Sequence, residues 1–384
     1  QILSSHLTTL TSFGQINAFS TFQSYYSTTL LPSYPTSSIA WIGTLQILSI
    51  YSLGFISGRL ADSGHLRLTL FTGFVLQAAG LFAASAATRY WQLLLAQGVC
   101  CGVGMGLGFT PGVANAAGWF GRGTGRERWR VVAVSSVACG GATGALVFAG
   151  MAERLLDRVG FAWTMRAMGL VVVVCGAVVV GLVRKAPRME TQVEKEGEER
   201  APWIEWRAWR EPVFAGFCVS MWFAFWGVWI AYYYVRPFSL TILHVSPNTS
   251  FTYLLVLNAI GIPGRLVPAL LADRLLGPLT TFIPVLLCAG ISLFAWAAVR
   301  TPDGMLAFVL VYGFFGAGTQ ALLQAALASL CPEPRRAGAR MGLGFGVVGL
   351  ASLTGSPVGG ALIQVAGGRY VGAQCFAGAA MLLG

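Results

Sequence analysis

The sequence predicts an all-α membrane protein: twelve transmembrane helices in two pseudo-symmetric six-helix bundles. Three observations lead there. Charged residues make up 10% of the 384 positions, against roughly a quarter in an ordinary soluble domain, and a soluble core of this size would still need a charged surface. The first 58 residues contain no Asp, Glu, Lys or Arg, while seven of the 14 acidic residues fall between Arg184 and Glu211. That one charged stretch divides the apolar runs into two sets of six.

A helix needs roughly 20 residues to cross the hydrocarbon core, and runs of about that length recur in order. The first half holds 2–31, 38–58, 66–87, 91–120, 131–152 and 161–183. In the fourth run Gly104, Gly108 and Gly112 recur every four residues, and in the fifth Gly140 and Gly144 repeat the spacing that lets helix backbones approach closely. The second half holds 212–235, 250–272, 278–299, 304–331, 341–366 and 368–384. The chain opens inside an apolar run and its last run is short, so both ends are expected to be trimmed. The expected organisation is therefore a bundle at 1–183, a cytoplasmic charged linker at 184–211 and a second bundle at 212–384. The linker has seven basic and seven acidic residues and too little apolar surface to fold alone. Its Trp203, Trp206 and Trp209 suit either a short interfacial helix or an aromatic belt before the seventh span.

Lysine and arginine set the orientation. Alternate loops, the linker among them, carry 17 basic residues and the opposite loops six, which puts the first set and both termini in the cytoplasm of a multi-pass protein, with the plasma membrane as the expected location. The net charge of +11 is thus a topology signal. Scattered over short loops, it argues against nucleic acid as a partner. The eight cysteines lack metal-ligand spacing, His6, His65 and His244 have no partner at ligand spacing, and no Ser/His/Asp set or paired carboxylates emerge. Neither an enzyme, a metal site nor a cofactor is expected. Gly344-Phe345-Gly346-Val347-Val348-Gly349 satisfies a dinucleotide-binding pattern, but it lies inside a span with no preceding strand. Asn248-Thr249-Ser250 is a glycosylation acceptor in an outside loop, though close to the eighth span.

Two turns occupy the same place in each half. After the second span the chain reads Gly58-Arg59-Leu60-Ala61-Asp62-Ser63-Gly64, and after the eighth Leu270-Leu271-Ala272-Asp273-Arg274-Leu275-Leu276-Gly277. Both resemble the Gly-x-x-x-Asp-Arg-x-Gly loop of the major facilitator superfamily, with Ser63 in place of the basic residue in the first copy and Ala269 in place of the leading glycine in the second. The resemblance implies that Gly58, Arg59, Asp62, Asp273 and Arg274 form a conformational motif in which the aspartates brace helix ends; read from the residues alone, they are two solvated helix-terminal charges.

A wider resemblance is carried by Asn17-Ala18-Phe19-Ser20-Thr21-Phe22-Gln23, Ile39-Ala40-Trp41-Ile42-Gly43, Tyr90-Trp91-Gln92-Leu93 and Gly140-Gly141-Ala142-Thr143-Gly144. The second half adds Leu257-Asn258-Ala259 with Gly264-Arg265-Leu266, Tyr312-Gly313-Phe314-Phe315-Gly316, and Gly355-Ser356-Pro357-Val358-Gly359-Gly360. These stretches are similar to the fungal branch of the monocarboxylate porter family. The resemblance implies a secondary transporter moving a small organic anion by alternating access, with Arg265 holding the substrate carboxylate.

The residues themselves point the same way. Arg265 is a guanidinium some 15 residues into a span, which costs about 2.5 to 3.5 kcal/mol on insertion scales and so faces a cavity or a partner; its planar fork of donors suits a carboxylate. The alternative is that it snorkels, or pairs with Asp273 two turns away. Animal members of the family carry an acidic residue where this chain has Gly261 and a lysine where it has Asn17, so proton coupling by that machinery is not expected. Asn17, Asn258, Gln320 and Gln324 are candidate substrate-orienting groups or interhelical hydrogen bonds. Trp226 and Tyr233 belong to an aromatic stripe on the seventh span that reads as helix packing or as a wall for a flat substrate. Export of a biosynthetic metabolite by the same fold, and a non-transporting nutrient sensor, remain alternatives.

Overall fold

The computed structural model describes residues 1–120, 125–185, 206–330 and 337–384, with backbone alone at 62, 127, 328 and 337–339. Most of the linker, including Trp203, therefore lies outside the described residues, as does the side chain of Asp62.

Among the described residues, twelve helical segments run in sequence, and eight or nine of the continuous helices are long and apolar enough to cross a membrane. The first, 2–30, is Ile2–Asn17, Phe19–Tyr25 and Tyr26–Leu30 with a slight break at Ala18. The second is Thr36–Ser52 and Gly54–Leu60, bent by 42° at Leu53. Leu66–Ala84 is the third and 90–118 the fourth. The fifth and sixth run together as Arg130–Leu182, 53 residues divided where Gly160 leaves the helical region at φ 76° and ψ 173°. The sequence suggested a loop at 153–160, yet the helix continues to Gly160: nothing between Glu153 and Val159 breaks it, and glycine accepts the left-handed turn without steric cost. Pro212–Thr241, Pro247–Leu271, Pro278–Ala297, Pro302–Ser329, Ala337–Val365 and Val371–Leu383 complete the set.

The two halves repeat one another in backbone detail. Left-handed glycines close the turns after the second and eighth spans, at Gly64 and Gly277, and the turns after the fifth and eleventh, at Gly160 and Gly367–Gly368. Glycine contacts repeat as well. A side chain on Gly140 or Gly144 would meet the backbone carbonyls of His6 and Leu10 on span one; one on Gly355 would meet Trp226 of span seven, and Gly359 lies against Ile230. Spans one and five therefore meet as spans seven and eleven do, through small residues four apart. With no water in the bilayer to drive association, such close contact is what holds helices together.

Polar side chains add cross-links inside the first half. His6 contacts the Ser136 carbonyl through Nδ1 at 2.9 Å and Thr143 through Nε2 at 3.0 Å. Gln77 donates to the Thr11 carbonyl at 2.6 Å and Gln46 to that of Gln97 at 2.9 Å. Where Pro212 opens the seventh span, Arg340 holds Glu211 by two bonds of 2.6 and 2.8 Å.

Candidate functional site between the halves

Arg265 sits three quarters of the way along Pro247–Leu271 and is 2% exposed. Its Nη1 donates to the carbonyl of Gly261 one turn back at 3.1 Å, and its Nη2 to Gln320 Oε1 of span ten at 3.3 Å. No carboxylate bonds it among the described residues. Asp273 does not pair with it, being engaged elsewhere. The glycine at 261 is why the guanidinium can fold back: a Cβ there would stand 2.8 Å from Nη1 and 3.1 Å from Ala317 Cβ. Tyr51 of span two, Cys139 of span five and Tyr232 of span seven all lie close enough to feel its charge. Residues of both halves thus surround one buried cation.

Around it the seam is aromatic. Phe13 stacks on Trp229 at 6.2 Å, and Tyr51 stacks on Phe345 at 5.7 Å and meets Phe225 edge-on at 6.2 Å. Phe19 meets Tyr233 at 5.2 Å. Trp229 anchors this wall by donating to Ser352 at 3.1 Å.

The other candidates are distributed as follows. Gln320 joins Arg265 directly and keeps its Nε2 without a partner. Gln324 lies one turn further along the same helix with an unpartnered Oε1. Asn258 spends its amide donor on the Leu254 carbonyl of its own helix at 2.9 Å, leaving Oδ1 unpartnered. Asn17 reaches across to the Gly141 carbonyl of span five at 3.3 Å, again with Oδ1 unpartnered. The Tyr233 hydroxyl is buried, lacks a partner, and lies so close to Gly43 of span two that a Cβ there would stand 2.6 Å away. Trp226 points elsewhere: it packs on Trp222, Phe223 and Phe376 and donates to Thr354 at 2.8 Å, all within the second half. Asn248 is exposed in the first turn of span eight.

Asp273 has a different task. Its two oxygens accept from the backbone amides of Val131 and Val132, at 3.2 and 2.8 Å, at the start of span five. A carboxylate on the unsatisfied amides of a helix N-terminus is favoured by both hydrogen bonding and the helix dipole. Arg274 lies over the Trp129 ring at 5.5 Å, so this turn clamps the halves at the end of the bundle where the basic loops gather. In the first copy of the motif Gly58 lies near Thr110 and Arg59 is half-buried at the helix end.

At the opposite end stands a contact that sequence reasoning missed. Arg236 of span seven is 8% exposed and grips Glu153 of span five through bonds of 2.6 and 3.1 Å, with a third to Thr21 of span one at 3.2 Å. Both residues looked like charges at span ends. The only signal available was that each ends a long apolar run and that their signs are opposite.

Comparison with known proteins agrees with this architecture. The xylose transporter XylE from E. coli, in a partially occluded inward-open conformation, superposes with a TM-score of 0.71 at 13% identity, covering 99% of this chain and 94% of that one. An MFS-type transporter of Gibberella zeae is 39% identical over the whole chain and 83% of its own length. The aspyridones efflux protein of Emericella nidulans is 28% identical over 97% of this chain and 73% of its own, and the fujikurins efflux protein of Gibberella fujikuroi 30% identical over 97% and 77%. Residues 6–332 match the family description Major Facilitator Superfamily; the chain is a multi-pass transporter belonging to that superfamily.

Proposed function

We propose that this protein exports an anionic secondary metabolite across the plasma membrane by alternating access, using Arg265 as the anchor for the substrate's negative group. One observation carries the reading: a guanidinium 2% exposed between the halves, bonded to a backbone carbonyl and an amide oxygen and, among the described residues, to no carboxylate. Retaining a cation at this depth is costly, and an anion arriving between the halves offsets that cost with bidentate geometry. Gln320 Nε2 and the Tyr233 hydroxyl are unused donors that could orient it. The stacked Phe13, Trp229, Tyr51 and Phe345 supply faces for a flat, conjugated body. The efflux names of similar proteins support the direction.

In this reading the bundles are 1–183 and 212–384, the stretch 184–211 is a cytoplasmic linker, and the end clamped by Asp273 faces the cytoplasm. A monocarboxylate porter would use the same arginine in the import direction, and the Leu257-Asn258-Ala259 and Gly264-Arg265-Leu266 stretches favour that second reading. Inside-out vesicles bearing the purified protein, offered a panel of aromatic acids, acidic polyketide-type metabolites and short monocarboxylates, separate the two. Uptake of a conjugated acid that Arg265→Ala abolishes while its melting temperature holds supports export. Undiminished transport by Arg265→Ala removes Arg265 from the site.

A further inference from the structure

Four buried side chains towards the Glu153 end carry polar atoms that the fold leaves unsatisfied. Ser20 Oγ, both amide atoms of Gln23, the Tyr233 hydroxyl and Ser356 Oγ make no geometrically sound hydrogen bond among the described residues, and each of these side chains is fully buried. They meet across the seam. Ser20 and Gln23 are three residues apart on one face of span one, and Thr21 between them is the residue that Arg236 bonds. Phe19, beside Ser20, meets the Tyr233 ring at 5.2 Å. Gln23 lies against the Tyr234 hydroxyl, which itself donates to the Ser356 carbonyl of span eleven at 3.0 Å. Each half of the bundle thus supplies two of the four side chains.

Cross-linking of helices does not account for them. Gln46, Gln77 and Gln374 are buried glutamines that each donate to a carbonyl of another span; Gln23 is as deep and does not. A buried polar atom left unpaired costs a fold its full desolvation penalty, and such atoms are rare enough that a cluster of them calls for a partner. That partner is neutral. Arg236 and Glu153, which with Asp273 fasten span five to the second half at its two ends, answer one another's charge, and a further charge brought in beside Gln23 would find no counter-ion among these four side chains.

We propose that Ser20, Gln23, Tyr233 and Ser356 form a second subsite, which binds a neutral carboxamide-type group at the far end of the transported anion. This rests on the reading of Arg265 as the anchor for the negative end. The Gln23 amide presents a donor and an acceptor side by side, the complement of a carboxamide edge, and the three hydroxyls can take either role. Between the two subsites the wall is aromatic. Tyr232 lies against Arg265, its ring meets Trp229 at 5.8 Å, and Tyr233 stands one turn beyond Trp229. The substrate class that fits both ends is a conjugated monoanion with an amide-like group remote from its charge. Because the four side chains are divided between the halves, they grip one group jointly only when the seam is closed on it.

Calorimetric titration of the full chain in lipid nanodiscs tests this with matched probes built on biphenyl and on terphenyl: the plain carboxylate, and the carboxylate with a carboxamide at its far end. In the wild type the carboxamide-bearing member of at least one pair binds about tenfold or more tightly than the plain one, the worth of two added hydrogen bonds. Gln23→Leu brings that ratio to within about twofold of unity, and Ser20→Ala with Ser356→Ala lowers it by about threefold or more. Gly150→Ala, with open space around it, retains it. Melting without ligand adds an independent measure: Gln23→Leu, which removes two unpaired polar atoms, melts no lower than the wild type, whereas Gln77→Leu, which breaks a bond to span one, melts lower. A wild type with no carboxamide advantage in either pair, an advantage that survives both variants, or a Gln23→Leu protein that melts as low as Gln77→Leu overturns the proposal. Plain carboxylates that bind through Arg265 and gain nothing from the carboxamide sink this inference alone. A carboxamide advantage that persists while Arg265→Ala binds every probe undiminished sinks the anchor reading alone.

Discussion

Replacing Asp273 with asparagine tests the clamp at the basic end with almost no change in shape. The aspartate accepts from two amides, Val131 and Val132, at 3.2 and 2.8 Å. Asparagine keeps one acceptor and turns its NH2 towards the second amide, so one charge-assisted bond is lost, worth about 1.5 to 3 kcal/mol. Loss of negative charge from a helix N-terminus adds about 0.3 to 1 kcal/mol. Together that is about 2 to 4 kcal/mol favouring separation at this end, or a shift of roughly 30- to 700-fold in the closed-to-open ratio, since each 1.4 kcal/mol is tenfold. Hydrogen exchange of 131–138 and 50–58 in nanodiscs is the assay: both stretches lose protection in Asp273→Asn, while Asp273→Glu loses less. Protection of the asparagine variant within threefold of wild type would refute the claim that these two bonds hold the halves together here.

Three further outcomes follow from the geometry. Gly144→Ala places a methyl on the Leu10 backbone carbonyl, so the backbones of spans one and five must part at a cost of about 1 to 3 kcal/mol, seen as a lowered melting temperature in detergent; Gly150→Ala, with open space around it, is the silent control. Tyr233→Phe removes a buried hydroxyl that has no partner, so stability holds or rises by up to about 1 kcal/mol while apparent substrate affinity falls; unchanged affinity removes Tyr233 from the site. The Arg340 hydrogen bonds hold the Glu211 carboxyl below the usual carboxylate range, so their stabilisation is present above the unfolded value and is lost as pH falls through the lower folded one; melting curves of wild type and Glu211→Gln should converge on acidification, and a gap that persists at low pH contradicts this.

Much of the fold was legible in the sequence because a bilayer taxes charge so heavily. Where charge is absent for about 20 residues a span follows, and the turns after Leu60 and Leu271 could be matched by their shared Leu-Ala-Asp. Gly140 and Gly144 were legible as a contact face because only small residues permit such an approach. The depth of Arg265 was legible from its distance to either end of its run. What it touches was not: folding back over Gly261 needs helical coordinates, and neighbours such as Tyr51 and Cys139 come from the other half. Glu153 and Arg236 lay hidden for a related reason. Each sits near the end of a long run, where a charge needs no explanation, and their pairing depends on how two bundles dock. The continuous helix through 153–160 was missed because a few polar residues between apolar runs resemble a loop unless the turn glycine is given its full weight.

The placement of both fastenings on span five has a kinetic consequence. From Val131 to Glu153 the helix is unbroken, roughly 33 Å at 1.5 Å per residue, so neither end can swing without loading the other. The closed form must be left and re-entered once per half-cycle, and the strengths of the two fastenings therefore enter every turnover as barrier height. Tightening either one by about 1.4 kcal/mol slows the corresponding opening tenfold. Loosening both lets the two mouths open independently, so that speed is gained only as leakage is admitted. A carrier built this way has its rate and its tightness set by the same few bonds, which makes mutants that are faster and equally tight the ones hardest to find.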